Sequence, residues 1–146
     1  MRKMPVVFSG HGDPMIALRH DTITQGMVEI GQKILKEYGR PKAILAISAH
    51  WYTRGTFVQT AEQPKQIYDM YGFPKELYAV RYPVKGCWEL SQRVQELLGT
   101  DVSVNNEWGI DHGTWTVLVR MFPAADIPVV QLSVDGLRSG EGILEM

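Results

Sequence analysis

The sequence predicts an α/β fold with a mostly parallel central sheet and helices on both faces, and two observations carry that prediction. Three short apolar runs, Pro5-Val6-Val7-Phe8, Ala43-Ile44-Leu45-Ala46-Ile47 and Ile127-Pro128-Val129-Val130-Gln131-Leu132, do not alternate apolar with polar residues. Such runs suit strands covered on both faces, as in a parallel sheet. Between the first two, Met27, Ile30, Ile34, Leu35 and Tyr38 recur at helical spacing, with Glu29, Lys33 and Lys36 falling between them. Gly39-Arg40-Pro41 ends that helix, because glycine accepts a left-handed cap and proline forbids continuation. Strand, helix, strand is the order of a right-handed crossover unit.

The remaining elements follow in order. Gly55 to Thr60 is a candidate strand. Gln63 to Tyr82, rich in tyrosine, proline and glycine, is expected to form a long surface excursion. Two roles stand for Tyr68, Tyr71, Phe73 and Tyr78 in that segment: walling a pocket, or anchoring the loop to the core. Leu90, Val94, Leu97 and Leu98 give Trp88 to Leu98 an amphipathic helical pattern. Asp101 to Asn106 alternates like a strand, and Gly113 to Phe122 resembles a short helix. No repeat, linker or low-complexity tract interrupts the chain, so residues 1–146 are expected to form a single α/β domain. The final stretch, after Asp135, has the look of a loop and an incipient helix, an unexpected place for such a fold to finish.

Composition narrows the function classes. With a net charge of -1 and no basic run, the chain lacks the usual signature of a nucleic-acid or anionic-membrane partner. One cysteine, Cys87, cannot form an internal disulfide, which suits a reducing compartment. No local feature marks that thiol as activated. The N-terminus has no adequate apolar segment for a signal peptide, and no run approaches the roughly 20 residues of a membrane span. The expected location is cytoplasmic.

The chemistry concentrates on histidine. His11 follows the first apolar run in Ser9-Gly10-His11-Gly12-Asp13-Pro14, and His50 follows the second in Ser48-Ala49-His50-Trp51. Each is expected at the carboxyl end of a parallel strand, where open α/β sheets place their ligand sites. Neutral imidazole is a common metal ligand, so the matched contexts make His11 and His50 a candidate metal pair. His112, in Asp111-His112-Gly113-Thr114-Trp115, precedes the short helix. It can bind or exchange protons with an acidic hydroxyl near neutral pH. The alternative is that Asp111 and Thr114 cap the helix while His112 points outward. His20, in a charged neighbourhood with no strand behind it, is expected at the surface. There is no phosphate-binding glycine loop, no GxSxG elbow and no CxxC pair. Ser9 and Ser48 near histidines keep a hydrolase as a weaker alternative.

Taken together, FSGHGDPM, ISAHWYTRGTFV, GFPKELYAVRYPVKG and WGIDHGTWTVLVRMFPAADIPVVQLSVD resemble the LigB superfamily of class III extradiol dioxygenases, in its DOPA-dioxygenase-like branch. The resemblance extends over nearly the whole chain. It implies a divalent metal, Fe(II) for ring cleavage or Zn(II) in some members, held by His11 and His50. It implies His112 as the substrate-orienting or acid/base group, with the adjacent Asp111 and Trp51 as candidate substrate contacts. The implied partners are a small aromatic diol and dioxygen. Asp13 departs from the family pattern, in which serine is more frequent, and a carboxylate there could support His11 or alter metal preference. Family members also continue beyond the QLSVD strand and there supply a further ligand and a catalytic histidine, whereas no histidine follows His112. The resemblance therefore implies the N-terminal portion of a longer dioxygenase fold, with a homo-oligomer or a second chain as the source of the rest. A non-catalytic binding module of the same fold is the alternative of a different class.

Overall fold

The structure is a computed structural model that describes residues 3–137. After a short 3-10 turn at Pro14–Ala17, helix α1 spans Thr22–Tyr38. Strand β1 (Ile44–Thr53) and strand β2 (Thr56–Val58) follow, then a one-turn helix α2 (Lys75–Tyr78) and helix α3 (Trp88–Leu98). A second 3-10 turn (Gly99–Asp101), strand β3 (Val102–Val104), helix α4 (His112–Met121) and strand β4 (Val129–Asp135) complete the described elements. The sheet order is β1-β4-β2-β3. β1 runs parallel to β4 and β2 parallel to β3, while Val58 pairs antiparallel with Leu132. The expected α/β architecture, mostly parallel, is present.

Local chemistry accounts for the helix boundaries. Asp21 caps α1 by accepting from the Thr24 amide at 2.9 Å, and the Thr24 hydroxyl accepts from the Asp21 amide at 2.9 Å. This reciprocal pair satisfies donors that the first helical turn leaves free. Gly39, at φ 78°, ends the helix in a conformation that side-chain-bearing residues avoid. Alternate side chains of β4 feed the two faces of the sheet. Val129 packs with Met27, Ile34, Trp115, Leu118 and Met121 on the α1/α4 face. Val130 and Leu132 pack with Val58 and Val94 on the α3 face. A strand buried on both sides needs continuous rather than alternating hydrophobicity, and this is why its sequence lacks a period of two.

Two expectations require correction. Pro5-Val6-Val7-Phe8 forms no strand, and Val6 and Phe8 are 98% and 100% exposed. β1 is the edge strand there, and its Leu45 and Ile47 are exposed as well. Pro5 has no amide hydrogen to donate to a ladder. The unit before β1 is consequently helix–strand, with no crossover. The second correction concerns β1, which does not stop at Ile47. Its pairing is interrupted after Ile47↔Leu132 and resumes at Tyr52↔Val134. Four residues of β1, Ser48 to Trp51, thus stand opposite one of β4, Ser133, and the three surplus residues form a bulge.

The excursion after β2 is anchored to the core, one of the two roles expected of it. Tyr68 and Tyr78 donate to the carbonyls of Val80 and Met70, Phe73 packs against the core, and Tyr71 is exposed. The expected helix after Asp135 lies outside the described residues. No helix among the described residues is long and apolar enough to cross a membrane.

The contact between α1 and α4 is close enough to test. A Cβ on Gly31 would fall 1.8 Å from the Met121 carbonyl oxygen, whereas one on Gly26 in the same helix would meet nothing within 4 Å. Gly31→Ala is expected to destabilise by about 1–3 kcal/mol through overpacking. Gly26→Ala is expected to stabilise by about 0.5–1 kcal/mol through helix propensity. Urea denaturation of the two variants measures these opposite signs.

Candidate metal centre

The bulge in β1 aims the first ligand candidate. Surplus residues in a bulged strand bend the chain and redirect side chains. Here the Ser48 hydroxyl faces inward to donate to Asp111 at 2.7 Å and accepts from the His50 amide at 3.2 Å. His50 is thereby turned toward the first turn of α4, its ring centroid 4.1 Å from that of His112. Gly113 makes room for it: a Cβ there would lie 2.7 Å from both His50 Cδ2 and Ser48 Oγ.

His11 comes from the irregular N-terminal segment and still reaches the same point. Its Nε2 lies 2.8 Å from Nε2 of His50, and its ring centroid lies 5.3 Å from that of His112. Two imidazole nitrogens at that distance share one proton or face a common cation. The Nδ1 of His11 is buried and has no hydrogen-bond partner. Burial, followed by the neighbouring imidazoles of His112 and His50, holds His11 below its ordinary pKa and so favours the neutral form that binds metals. One ligand nitrogen from each of His11, His50 and His112 lies within 4.8 Å of the others. Among the described residues, these three imidazoles form the cluster able to hold an ion. Imidazole donors suit Zn, Fe, Cu or Ni.

The aspartates are placed differently from one another. Asp111 is fully buried, and both of its oxygens are engaged by protein donors. Oδ1 accepts from Ser48 and from the Thr114 amide that starts α4, and Oδ2 accepts from Trp108 Nε1 at 2.9 Å and Gln131 Nε2 at 2.7 Å. Asp111 does cap the helix, as one alternative held, but His112 is buried and faces the cluster instead of pointing outward. Trp51 is also buried, at 4% exposure. Asp13 sends its oxygens to the Met15 amide and to Arg19, each at 2.8 Å, and so caps the 3-10 turn. His20 is exposed, as expected.

Two participants escaped the sequence. Gln131 stood out only as a polar residue inside an apolar run, which in hindsight is the mark of a buried partner. Asp69 lay hidden in the aromatic excursion. Its Oδ1 accepts from the His112 amide at 2.9 Å and lies 3.0 Å from His112 Nδ1, which is buried and makes no well-aimed hydrogen bond. With Nδ1 on the Asp69 side, Nε2 is the nitrogen left for the cluster. Burial pushes the Asp69 carboxyl up, but the hydrogen bonds and charge of His112 together outweigh it, and the net direction is down.

Asp111→Ala would strand buried donors on Ser48, Trp108 and Gln131 at once. The expected loss is on the order of 3 kcal/mol or more, against about 1 kcal/mol for the exposed cap variant Asp13→Ala. Thermal denaturation of both distinguishes a buried frame from a surface cap.

Comparison with known proteins identifies the fold. The sequence pattern of the LigB family, described as the catalytic LigB subunit of aromatic ring-opening dioxygenase, matches residues 5–144. The chain is 44% identical over 146 residues to the 4,5-DOPA dioxygenase extradiol of Escherichia coli, covering 99% of this chain and 52% of that one. It is 41% identical to the 4,5-DOPA dioxygenase extradiol of Beta vulgaris, covering 91% of this chain and 51% of that one. A crystal structure of an uncharacterized protein from Escherichia coli K12 superposes with a TM-score of 0.64 at 40% identity, covering 83% of this chain and 43% of that one. The chain thus spans about half the length of the relatives it matches. It belongs to the LigB family of aromatic ring-opening dioxygenases.

Proposed function

We propose that this chain carries the metal-binding half of an extradiol dioxygenase site that opens a catechol-type ring, DOPA-like in view of the relatives' names. The observation that supports it most is the convergence of His11, His50 and His112 from three separate segments. His11 and His50 are the metal ligands in this proposal. When bound, Fe(II) supplies Lewis acidity toward the diol and a meeting point for the diol and dioxygen. His112 takes or returns a proton at a diol hydroxyl through Nε2, while Asp69 lies on its Nδ1 side. Asp111 supports these rings, its oxygens being filled by protein donors, and Trp51, next to His50 in the bulge, stands as the candidate substrate contact. Asp13 shapes the turn after His11 and makes no hydrogen bond to it.

One observation favours a second function. All three imidazoles offer a nitrogen within 4.8 Å, and three histidines are a known Zn(II) donor set. In that case His112 is a third ligand, and the chain is a metal-binding module without ring cleavage. His112→Ala separates the two. The dioxygenase assignment predicts metal content near that of the unaltered chain and loss of oxygen uptake with DOPA or catechol. The module assignment predicts a sharp fall in metal content.

His11→Ala and His50→Ala are each expected to weaken metal binding at least about tenfold, as read by anaerobic Fe(II) titration. Unchanged binding in both variants would remove the proposed ligand pair.

A further inference from the structure

We infer that Asp69 is a positioning residue that fixes the orientation and tautomer of His112. The inference rests on His112 acting within the cluster, and it holds whichever metal is bound. The excursion is bonded to the segment before α4 in a fixed register. Gln66 bridges Ile110 in parallel, the Ile67 amide donates to the Ile110 carbonyl at 3.0 Å, and the Ile110 amide donates to the Lys65 carbonyl at 2.8 Å. Trp115 Nε1 donates to the Ile67 carbonyl at 2.9 Å, which ties the same stretch to α4 itself. A Cβ on Gly109 would fall 2.2 Å from the Lys65 carbonyl oxygen, so the two strands of backbone lie against each other. Asp69 stands two residues beyond this ladder, and the register brings its carboxylate onto the His112 amide and to 3.0 Å from Nδ1.

The arrangement has a chemical consequence. A carboxylate beside Nδ1 stabilises the tautomer with the proton on that nitrogen, which leaves Nε2 with its lone pair free. That lone pair is what a histidine needs to accept a proton from a hydroxyl or to bind a cation. A long loop of little regular structure thereby sets the working state of a residue on α4.

The test uses the metal-free chain, so it does not depend on the metal assignment. Nitrogen-resolved NMR of the imidazoles reads the tautomer of His112. The unaltered chain is expected to show His112 protonated at Nδ1, and Asp69→Ala to show a mixture dominated by the Nε2-protonated form that free histidine prefers. Asp69→Asn, which keeps a neutral acceptor, is expected to restore part of the original distribution. Asp69→Ser, too short to reach the ring, repeats the test if the alanine variant fails to fold. A merely structural role would lower the melting temperature and leave the tautomer unmoved, and an unmoved tautomer in the alanine or serine variant would overturn the inference. In a loaded chain that turns over, Asp69→Ala is further expected to reduce kcat about 10–100-fold with KM little changed.

Discussion

The carboxylate of Asp111 holds the site together. A buried anion is costly unless its lone pairs are filled, and here donors from β1, α4, β4 and the preceding loop fill them. Each of those bonds also fixes the position of something else. Ser48, held by Asp111, accepts from the amide of His50 and pins the bulge. The Thr114 amide, held by the same oxygen, starts α4 at His112. Moving the carboxylate would therefore move two of the three histidines.

A second level of support acts on the rings directly. Gly113 leaves the space that His50 occupies, and an Asp69 oxygen lies 3.0 Å from Nδ1 of His112. The third histidine, His11, relies on the turn that Asp13 caps and on contact with the other two rings. The site thus has two rigid members on the bulge and the helix, and one brought by an irregular segment. A metal ion would gain from this, since a largely preformed donor set leaves less ordering to be done on binding. It would in turn bind His11 to the other two.

Much of this was legible in the sequence, for local reasons. Asp21, Thr24 and Gly39 mark the ends of α1 by capping chemistry that neighbouring residues settle among themselves. The unbroken hydrophobicity of Val129-Val130 signals a strand buried on both faces. The histidines were legible because small residues and apolar runs flank them. What was not legible depends on distant partners. The bulge at Ser48–Trp51 exists because β4 pairs with both ends of β1, and no window of the sequence contains that fact. Asp69 meets His112 through a register set by Gln66 and Ile110. Pro5 to Phe8 reads as a buried strand by composition, yet composition does not reveal whether anything covers it.

The proposal stands or falls on whether His11 and His50, beside His112, hold a metal. X-ray absorption spectroscopy on the chain loaded anaerobically with one equivalent of Fe(II) tests it most directly, because imidazole rings leave a distinctive multiple-scattering pattern around the ion. The account predicts at least two imidazole ligands at about 2.0–2.2 Å, lost together with tight binding when His50 is replaced by alanine. An ion surrounded by oxygen ligands alone, in a chain that remains folded, would contradict it.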